Sequence, residues 1–225
     1  RNCIIATDRD NIVKNIINHF NLNDRNNLNE TVVFYAVSSG NMKLVSYLYD
    51  INAELFSLQN EFGETLLYPA LYHDYDFVMI DYLIKLNIID LNAKSGSKQY
   101  SFLHLVCEKS NVKLVQYLID ANCDYTLKDS DGNTALHIAC LNGRYAIVKY
   151  LVELNRFDLN EKNKLGQSYL HLACQSGNFN TVSYLWSLHQ IDPKCLDNQN
   201  NGIVYYACKS RNSNIINFLF QVTHN

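Results

Sequence analysis

Runs of like charge and long apolar segments are both missing from this chain. Charged residues make up 18% of its 225 residues and hydrophobic residues 48%, with a formal net charge of -3. This composition argues against a disordered tail, so we expect an ordered chain. Lysine and arginine are scattered, which favours neither nucleic acid nor an anionic membrane surface as a partner. The longest apolar runs, such as Thr65–Leu71, fall far short of the roughly 18 residues that a membrane span requires, so no membrane insertion is expected.

Short catalytic motifs are missing as well. The sequence contains no phosphate-binding loop, nucleophile elbow, zinc-protease helix or kinase motif. Its 7 cysteines include no C-x-x-C pair, which is typical of unpaired thiols in a reducing compartment. We therefore expect no enzyme activity, no cofactor and no metal. The expected location is intracellular, in the cytoplasm, with the nucleus left open.

What the sequence does contain is a repeat. Residues 131–151 read DGNTALHIACLNGRYAIVKYL. Within each copy, apolar residues at i, i+3 and i+4 form two stripes separated by a residue such as Gly40, which predicts two short amphipathic helices. Successive anchor positions differ in residue number by 34, 36, 33, 34 and 34; they are Ala36, Ala70, Val106, Ala139, Ala173 and Ala207.

The period and the T-x-L-H-x-A core at Thr134–Ala139 make the sequence resemble the ankyrin-repeat family. The resemblance covers nearly the whole chain from about Asn26. It implies an all-α solenoid of helix–turn–helix units joined by β-hairpin-like finger loops. We predict a single domain over 1–225 with a shortened N-terminal capping repeat over 1–25. The following repeats, the last acting as a C-terminal cap, are 26–59, 60–94, 95–128, 129–162, 163–196 and 197–225.

One departure from the family pattern concerns the helix starts. The usual proline after the first-helix threonine is absent from every repeat, and its slot holds Val32, Leu66, Phe102, Ala135, Tyr169 and Ile203. We expect the preceding hydroxyl groups to cap the helices instead, at about 1 kcal/mol each. These residues are Thr31, Thr65, Ser101, Thr134 and Ser168. Gly202 offers no hydroxyl, so the sixth repeat is predicted to fray first.

Three sets of residues recur at the same position of successive repeats and have side chains that could bind ligands or react. We call each set a column. The first is His104, His137 and His171. Equivalent positions in stacked repeats lie ~8–10 Å apart, too far for ligands that must each approach a zinc ion to ~2.0–2.3 Å. The resemblance implies instead that each imidazole binds the backbone of the neighbouring loop.

The other two columns are cysteine and aromatic. Cys107, Cys140, Cys174 and Cys208 are expected to be core thiols, because stacking does not bring their Cα atoms within disulfide range. The aromatic column is either a ladder that stacks nucleic-acid bases or a packing column, and the lack of a basic groove favours packing. Its members are Tyr47, Tyr82, Tyr117, Tyr150, Tyr184 and Phe218.

The resemblance also places the binding surface. In ankyrin proteins the partner usually meets the concave side, formed by finger tips and exposed first-helix residues. The candidate partner-binding residues are Phe62, Tyr72, His73, Lys98, Tyr100, Lys109, Asn133, Leu141, Asn142, Leu165 and Gln175. The apolar and aromatic members suit an interface core. Alternatively they are ordinary surface residues, or Phe62 and Leu165 pack on adjacent fingers.

The predicted function is a monomeric, non-catalytic scaffold that binds a partner protein through the concave face and finger tips of the middle repeats. An alternative is that the chain is the substrate- or partner-docking portion of a larger enzyme, channel or effector. A third hypothesis places a peptide or small ligand between Tyr72 and Tyr100.

Overall fold

The structure is a computed structural model that describes residues 21–72, 77–109 and 111–223. Most of the predicted N-terminal cap, together with His73, lies outside these residues. The chain forms two compact units, Arg1–Asp90 and Leu91–Asn225, and each is described by itself. The single domain and the repeat boundaries remain predictions.

The described residues form helix pairs, which we number as repeats 1 to 6. In the first unit, repeat 1 is followed by a 3₁₀ helix over Ala53–Ser57. The pairs of this unit are α1 (Val32–Ser38) with α2 (Met42–Ile51), and α3 (Leu67–Tyr72) with α4 (Phe77–Lys85). The pairs of the second unit are α5 (Phe102–Lys109) with α6 (Val112–Asp120), α7 (Ala135–Leu141) with α8 (Tyr145–Glu153), α9 (Tyr169–Ser176) with α10 (Phe179–Ser187), and α11 (Ile203–Ser210) with α12 (Ser213–Thr223).

The anchor column is the centre of the packing. All six anchor residues are at most 2% exposed. Within each unit the first helices of successive repeats pack directly on one another, which the small anchor side chains permit because they let two helix backbones approach closely. This arrangement confirms the predicted all-α class. Among the described helices, none is long and apolar enough to cross a membrane.

In repeats 1, 2, 4, 5 and 6 one side chain at the base of the finger loop organises that finger. Asp129 accepts hydrogen bonds from the backbone N–H groups of Asp131 (2.8 Å) and Asn133 (2.7 Å). Its own N–H donates to the Asn133 carbonyl over 2.9 Å. The same pattern, an acceptor side chain satisfying N–H groups two and four residues later, closes an Asx-type turn elsewhere. The other residues that make it are Asn26, Asn60, Asn163 and Asp197.

The finger of repeat 3 is built differently. A two-residue strand β1 (Lys94–Ser95) pairs antiparallel with β2 (Tyr100–Ser101). Elsewhere in the described residues, strand-like pairing is limited to an isolated bridge between Lys162 and Ser168. The β-hairpin-like character is therefore strongest in repeat 3.

The helix starts correct one prediction. The hydroxyl groups of Thr31 and Thr65 are buried without a hydrogen-bond partner, so they do not cap their helices. Thr134 and Ser168 do cap their helices, each through a capping box in which its side chain accepts from the backbone N–H of the histidine three residues later. The backbone N–H of Thr134 in turn donates to Nδ1 of His137 over 3.2 Å. Ser101 and Ser168 donate in the same way to the histidines three residues later. In each of these three repeats the hydroxyl oxygen of the serine or threonine also lies within hydrogen-bond distance of the same Nδ1 atom.

Because Nδ1 accepts, the imidazole proton is assigned to Nε2. Nε2 of His104 lies 3.0 Å from the Asn133 carbonyl, and Nε2 of His171 lies 3.3 Å from the Asn201 carbonyl. These contacts confirm the predicted bonds from imidazole to neighbouring loop. His137 differs, because its Nε2 is buried without a hydrogen-bond partner and its ring packs 4.2 Å from that of Tyr169.

The cysteine and aromatic columns follow the packing interpretation with one exception. Cys107, Cys140 and Cys174 are fully buried, but Cys208 is exposed. The prediction of a core thiol is therefore wrong at Cys208, because no further repeat covers it within the described chain. All members of the aromatic column are half-buried.

Candidate protein-binding cleft

A cleft of about 420 Å³ opens on the finger side of repeats 4 to 6. Two rows of side chains line it, and each row takes one residue from each repeat. The finger row is Asp131, Leu165 and Gln199, and the helix row is Leu141, Gln175 and Lys209. Because stacked helices are spaced by about 8–10 Å, each row presents side chains at regular intervals along about 20 Å.

The finger row is held in place by bonds between fingers. The backbone N–H of Lys164 donates to the Asp131 carbonyl over 2.9 Å, and that of Asn198 donates to the Leu165 carbonyl over 3.0 Å. The Asn198 amide adds a bond to the Lys164 carbonyl over 2.8 Å. Leu165 is therefore 58% exposed on a fixed backbone, which limits the entropy lost when a partner binds.

The helix row lies at the ends of the first helices. Leu141 is the last residue of α7, and Gln175 and Lys209 occupy the matching places on α9 and α11. Leu141 and Gln175 are half-buried, whereas Lys209 is exposed. Leu172, 2% exposed, closes the apolar floor between the rows.

A polar network fixes the wall of the cleft at repeat 6. The Tyr206 hydroxyl donates to the Asp197 carboxylate over 2.5 Å and accepts from the Gln167 amide over 2.9 Å. Burial alone would raise the pKa of Asp197, but the bonds from Tyr206 and Asn201 hold this pKa well below its usual value. Burial and the neighbouring carboxylate raise the pKa of Tyr206. Asp197 therefore stays ionised and Tyr206 stays protonated, so the wall keeps one arrangement at neutral pH.

The rest of the lining is rich in amides, with an exposed carboxylate at Asp131 and an exposed ammonium at Lys209. Amide side chains offer both donors and acceptors, and exposed apolar groups at Leu165 and Tyr205 (50%) add contact area. An apolar floor within a polar rim is the composition of a protein interface.

The cleft brings together four of the eleven candidate residues: Asn133, Leu141, Leu165 and Gln175. Asn142 lies beside it, half-buried, and its amide donates back to the Ile138 carbonyl over 2.9 Å.

The remaining candidates lie elsewhere. In repeat 3, the Lys98 ammonium sits 5.4 Å from the Tyr100 ring centroid. Burial raises the pKa of Tyr100 to about 12, and Lys109 is exposed. In the first unit, Phe62 is 49% and Tyr72 61% exposed. Tyr72 and Tyr100 belong to different units, so a ligand between them remains a hypothesis.

Asn133 is a candidate residue that the structure buries. It is 7% exposed, and its side chain donates to Asp129 over 3.0 Å and accepts from Asn163 over 2.8 Å. Its amide joins neighbouring fingers, so little of it is offered to a partner.

Tyr205 and Tyr206 are cleft residues that the sequence did not suggest. Tyr205 occupies the place of the column histidine, 34 residues after His171. That position is buried in repeats 3 to 5, and it becomes exposed here because the described chain has no following repeat. The finger-base residues Asn163 and Asp197 were also missed, although the steps of 34 residues from Asp129 to Asn163 and from Asn163 to Asp197 are visible in the sequence.

Across the parts of the chain that the structure describes, no group of three or more histidine, cysteine, aspartate or glutamate side chains is placed to hold an ion. Burial raises the pKa of Cys107 and Cys140 and lowers that of His104 and His171, so these groups remain neutral. The geometry is that of a contact surface.

The fold is that of a helix-pair repeat protein, with an open cleft on the finger side of repeats 4 to 6. Residues 3–95, 79–163 and 154–225 each match the family described as ankyrin repeats (3 copies). The chain therefore belongs to the ankyrin-repeat family, as the sequence indicates.

Relatives share parts of the chain. NF-kappa-B inhibitor alpha of Sus scrofa is 30% identical over 95 residues, which cover 41% of this chain and 30% of the relative. Alpha-latroinsectotoxin-Lt1a of Latrodectus tredecimguttatus is 29% identical over 86 residues, covering 38% of this chain and 6% of the toxin. An ankyrin repeat protein of Rickettsia bellii (strain RML369-C) is 26% identical over 136 residues, which cover 57% of this chain and 18% of the relative. The matches thus span 30% or less of these relatives' own length.

Proposed function

We propose that this chain is a non-catalytic protein–protein interaction module that binds a segment of a partner protein in the cleft of repeats 4 to 6. The observation that carries the proposal is the pair of rows, Asp131–Leu165–Gln199 and Leu141–Gln175–Lys209. The exposed part of Leu165 adds nothing to the core, and a fixed, exposed apolar side chain within a polar rim is a suitable anchor for a partner. The relative named as an inhibitor of NF-kappa-B supports the same class of activity.

The proposed partner segment is extended. An extended chain rises about 3.3 Å per residue, so about six residues span the cleft, with apolar side chains against Leu141 and Leu165. The monomeric state and the exclusion of nucleic acid belong to this proposal, and a net charge of -3 supports the latter. Free cysteines at six described positions support an intracellular location, in the cytoplasm or the nucleus.

The test is quantitative affinity capture from a lysate of the source cell. The double variant Leu141→Ala/Leu165→Ala is compared with wild type, with Leu196→Ala as the matched control because Leu196 is 47% exposed and does not line the cleft. Loss of two anchors is expected to weaken a specific partner about tenfold or more. A variant that is folded by circular dichroism and retains every partner would contradict the proposal. Adding Phe62→Ala and Tyr100→Ala then asks whether the contact extends beyond the cleft.

A second candidate is that the chain is the docking portion of a larger enzyme, channel or effector. It is favoured by the small share of each relative that the chain matches, 6% in the toxin and 18% in the Rickettsia protein. The complete open reading frame of the gene is the test. A catalytic or membrane-spanning segment joined to this chain supports this candidate, and a frame confined to ankyrin repeats opposes it.

A further inference from the structure

Two apolar side chains stand at the finger tips of the first unit. Leu28 is 40% exposed and Phe62 is 49% exposed. Each follows its finger-base asparagine, Asn26 or Asn60, by two residues, which is the position of the finger row in the cleft. The two fingers are joined, because the backbone N–H of Glu61 donates to the Leu28 carbonyl over 2.9 Å. The tips of repeats 1 and 2 therefore form one apolar row on a fixed backbone.

Two tyrosines extend this row onto the first helices. Tyr35 on α1 is 56% exposed, and its hydroxyl accepts a hydrogen bond from the Asn26 amide over 2.7 Å, which holds the ring beside the first finger. Tyr72 ends α3 at the helix-row position and is 61% exposed. The two helices pack directly on one another, so both rings lie on the finger side of this unit. We call Leu28, Tyr35, Phe62 and Tyr72 the aromatic surface.

Each of the two fingers also places a carboxylate beside the aromatic surface. Glu30 and Glu64 lie four residues after the finger bases, at a position that lines the cleft in repeats 4 and 5. Oε2 of Glu30 accepts from the Asn26 amide over 2.8 Å, and Oε2 of Glu64 accepts from the Asn60 amide over 2.8 Å. These bonds fix the two carboxylates. Equivalent positions of stacked repeats lie about 8–10 Å apart, so the carboxylates are separated by about that distance.

The carboxylates of these fingers are not paired with cations in the part of the chain that the structure describes. Within those residues, no ion pair includes Glu30, Glu61 or Glu64. Asp24 and Arg25, beside the first finger, offset one another in charge. Glu61 is exposed and the other two glutamates are half-buried. The aromatic surface therefore has a rim of negative charge that is open to a partner.

The charge of the first unit as a whole favours a basic partner. Residues 1–90 contain twelve acidic and six basic residues, whereas residues 91–225 contain ten acidic and thirteen basic residues. Complementary charge speeds association and suppresses partners of the wrong sign. An acidic segment or a nucleic acid is therefore disfavoured at the aromatic surface.

Aromatic rings beside carboxylates are suited to arginine and lysine side chains. A ring face attracts a guanidinium or ammonium group, and a carboxylate adds a charge-assisted hydrogen bond. The second unit contains a contact of the first kind, since the Lys98 ammonium lies 5.4 Å from the Tyr100 ring centroid. At the aromatic surface a partner can supply the cation. The apolar tips Leu28 and Phe62 then accept apolar residues of the same segment.

We propose that the aromatic surface and its glutamates bind an extended, basic segment of a partner protein. An extended chain rises about 3.3 Å per residue, so two arginine or lysine residues about three positions apart match the interval between Glu30 and Glu64. Apolar residues of the segment contact Leu28 and Phe62. The residues of this site belong to the first unit and do not line the cleft, so the site is independent of the function proposed for the cleft.

The experiment selects phage-displayed random 12-residue peptides on the full chain and measures their enrichment over the double variant Glu30→Gln/Glu64→Gln. Glutamine keeps an oxygen that accepts the finger-base hydrogen bond, so the variant loses charge and is expected to remain folded by circular dichroism. The enriched peptides are expected to carry two basic residues about three positions apart. As labelled synthetic peptides, they should bind the double variant at least about tenfold more weakly by fluorescence anisotropy.

Three further variants locate the bound peptide. Phe62→Ala/Tyr72→Ala is expected to weaken binding about tenfold, because it removes an apolar contact and a ring face. Glu54→Gln, at an exposed position of the 3₁₀ helix and outside both fingers, is the matched control and should leave the affinity unchanged. Leu141→Ala/Leu165→Ala alters the cleft alone and should also leave it unchanged.

Three outcomes would overturn the proposal. The first is a selection in which no sequence is enriched on wild type over the double glutamine variant. The second is enriched peptides that lack the basic pair. The third is binding that is lost only with the cleft variant, which would assign the peptides to the cleft. The third outcome would leave the proposed function standing, so the two proposals fail separately.

Discussion

Repeats 5 and 6 have the same helix-pair pattern but different exposures. Leu170 is 1% exposed in repeat 5, and its counterpart Val204 is 42% exposed in repeat 6. His171 is fully buried and its counterpart Tyr205 is half exposed. Both first helices span eight residues. The comparison teaches that burial in this protein is conferred by the next repeat, and that a repeat's own sequence does not fix it.

The largest expected effect is at the residue that precedes the histidine position, which is Leu170 in repeat 5 and Val204 in repeat 6. Leu170→Ala is expected to lower the free energy of unfolding by about 2–5 kcal/mol, because it leaves a cavity between two repeats. Val204→Ala should lower it by less than about 1 kcal/mol, because much of this side chain is already in water. Urea unfolding followed by circular dichroism measures both, and equal losses would show that repeat 6 is covered as repeat 5 is.

The next effect concerns pH. Burial lowers the pKa of His137 to about 4, although the nearby Glu161 carboxylate acts in the opposite direction. The unfolded chain binds this proton near pH 6.5, so the free energy of unfolding falls as the pH drops from about 6.5 to 4. A difference of about 2.5 pKa units corresponds to roughly 3 kcal/mol.

His137→Gln should remove this pH-dependent part of the free energy of unfolding. Wild type and variant should therefore converge in stability as the pH falls from 7.5 to 4. Urea titrations at four pH values measure the convergence. Tyr205→His, which puts an imidazole at the exposed counterpart in repeat 6, should add almost no pH dependence. A parallel pH profile for His137→Gln and wild type would contradict the assignment.

The glycine of the finger turn gives a smaller contrast. Gly166→Asn is expected to cost about 1–3 kcal/mol, because its side chain would collide with Asn198 of the next finger. Asn200→Gly, the reverse change in repeat 6, should alter the free energy of unfolding by no more than about 0.5 kcal/mol. Thermal and urea unfolding of the pair provide the measurement. A costly Asn200→Gly change would mean that Asn200 has a structural role of its own.

The smallest effect concerns the hydrogen bond from the Lys162 ammonium to the loop of the next repeat. Lys162→Met removes an exposed hydrogen bond to the Leu196 carbonyl and should cost about 0.5–1.5 kcal/mol. Leu196→Lys restores the lysine in repeat 6, where the described residues include no following loop to accept the bond, and should stay within about 0.5 kcal/mol of wild type. A clear gain in stability from Leu196→Lys would identify an acceptor near repeat 6.

Much of the fold could be predicted from the sequence because the same pattern of residues occurs in several repeats, and each copy supports the same inference. The anchor positions from Ala36 to Ala207 and the bonds from His104 and His171 to neighbouring loops depend on local pattern plus stacking. The capping role of Thr31 and Thr65 was predicted wrongly, because a hydroxyl has the right chemistry for a cap but its rotamer depends on packing.

The candidate site was less predictable. Leu141, Leu165 and Gln175 followed from the family resemblance, which was carried over position by position along the repeat. The burial of Asn133 did not, because it depends on an amide contact from Asn163 in the next finger. The exposure of Cys208 and Tyr205 depends on what lies beyond their repeat, which no pattern within the repeat encodes.

The most direct test of the central claim is native-state alkylation of the cysteine column, resolved for each cysteine by mass spectrometry. Burial excludes the reagent from Cys174 and raises the pKa of its thiol to about 12, so we expect very slow reaction there and at Cys107 and Cys140. Cys208 is exposed and should react about as fast as the thiol of an unfolded peptide. Protection of Cys208 to the same degree as Cys174, in protein purified without a partner, would contradict the account.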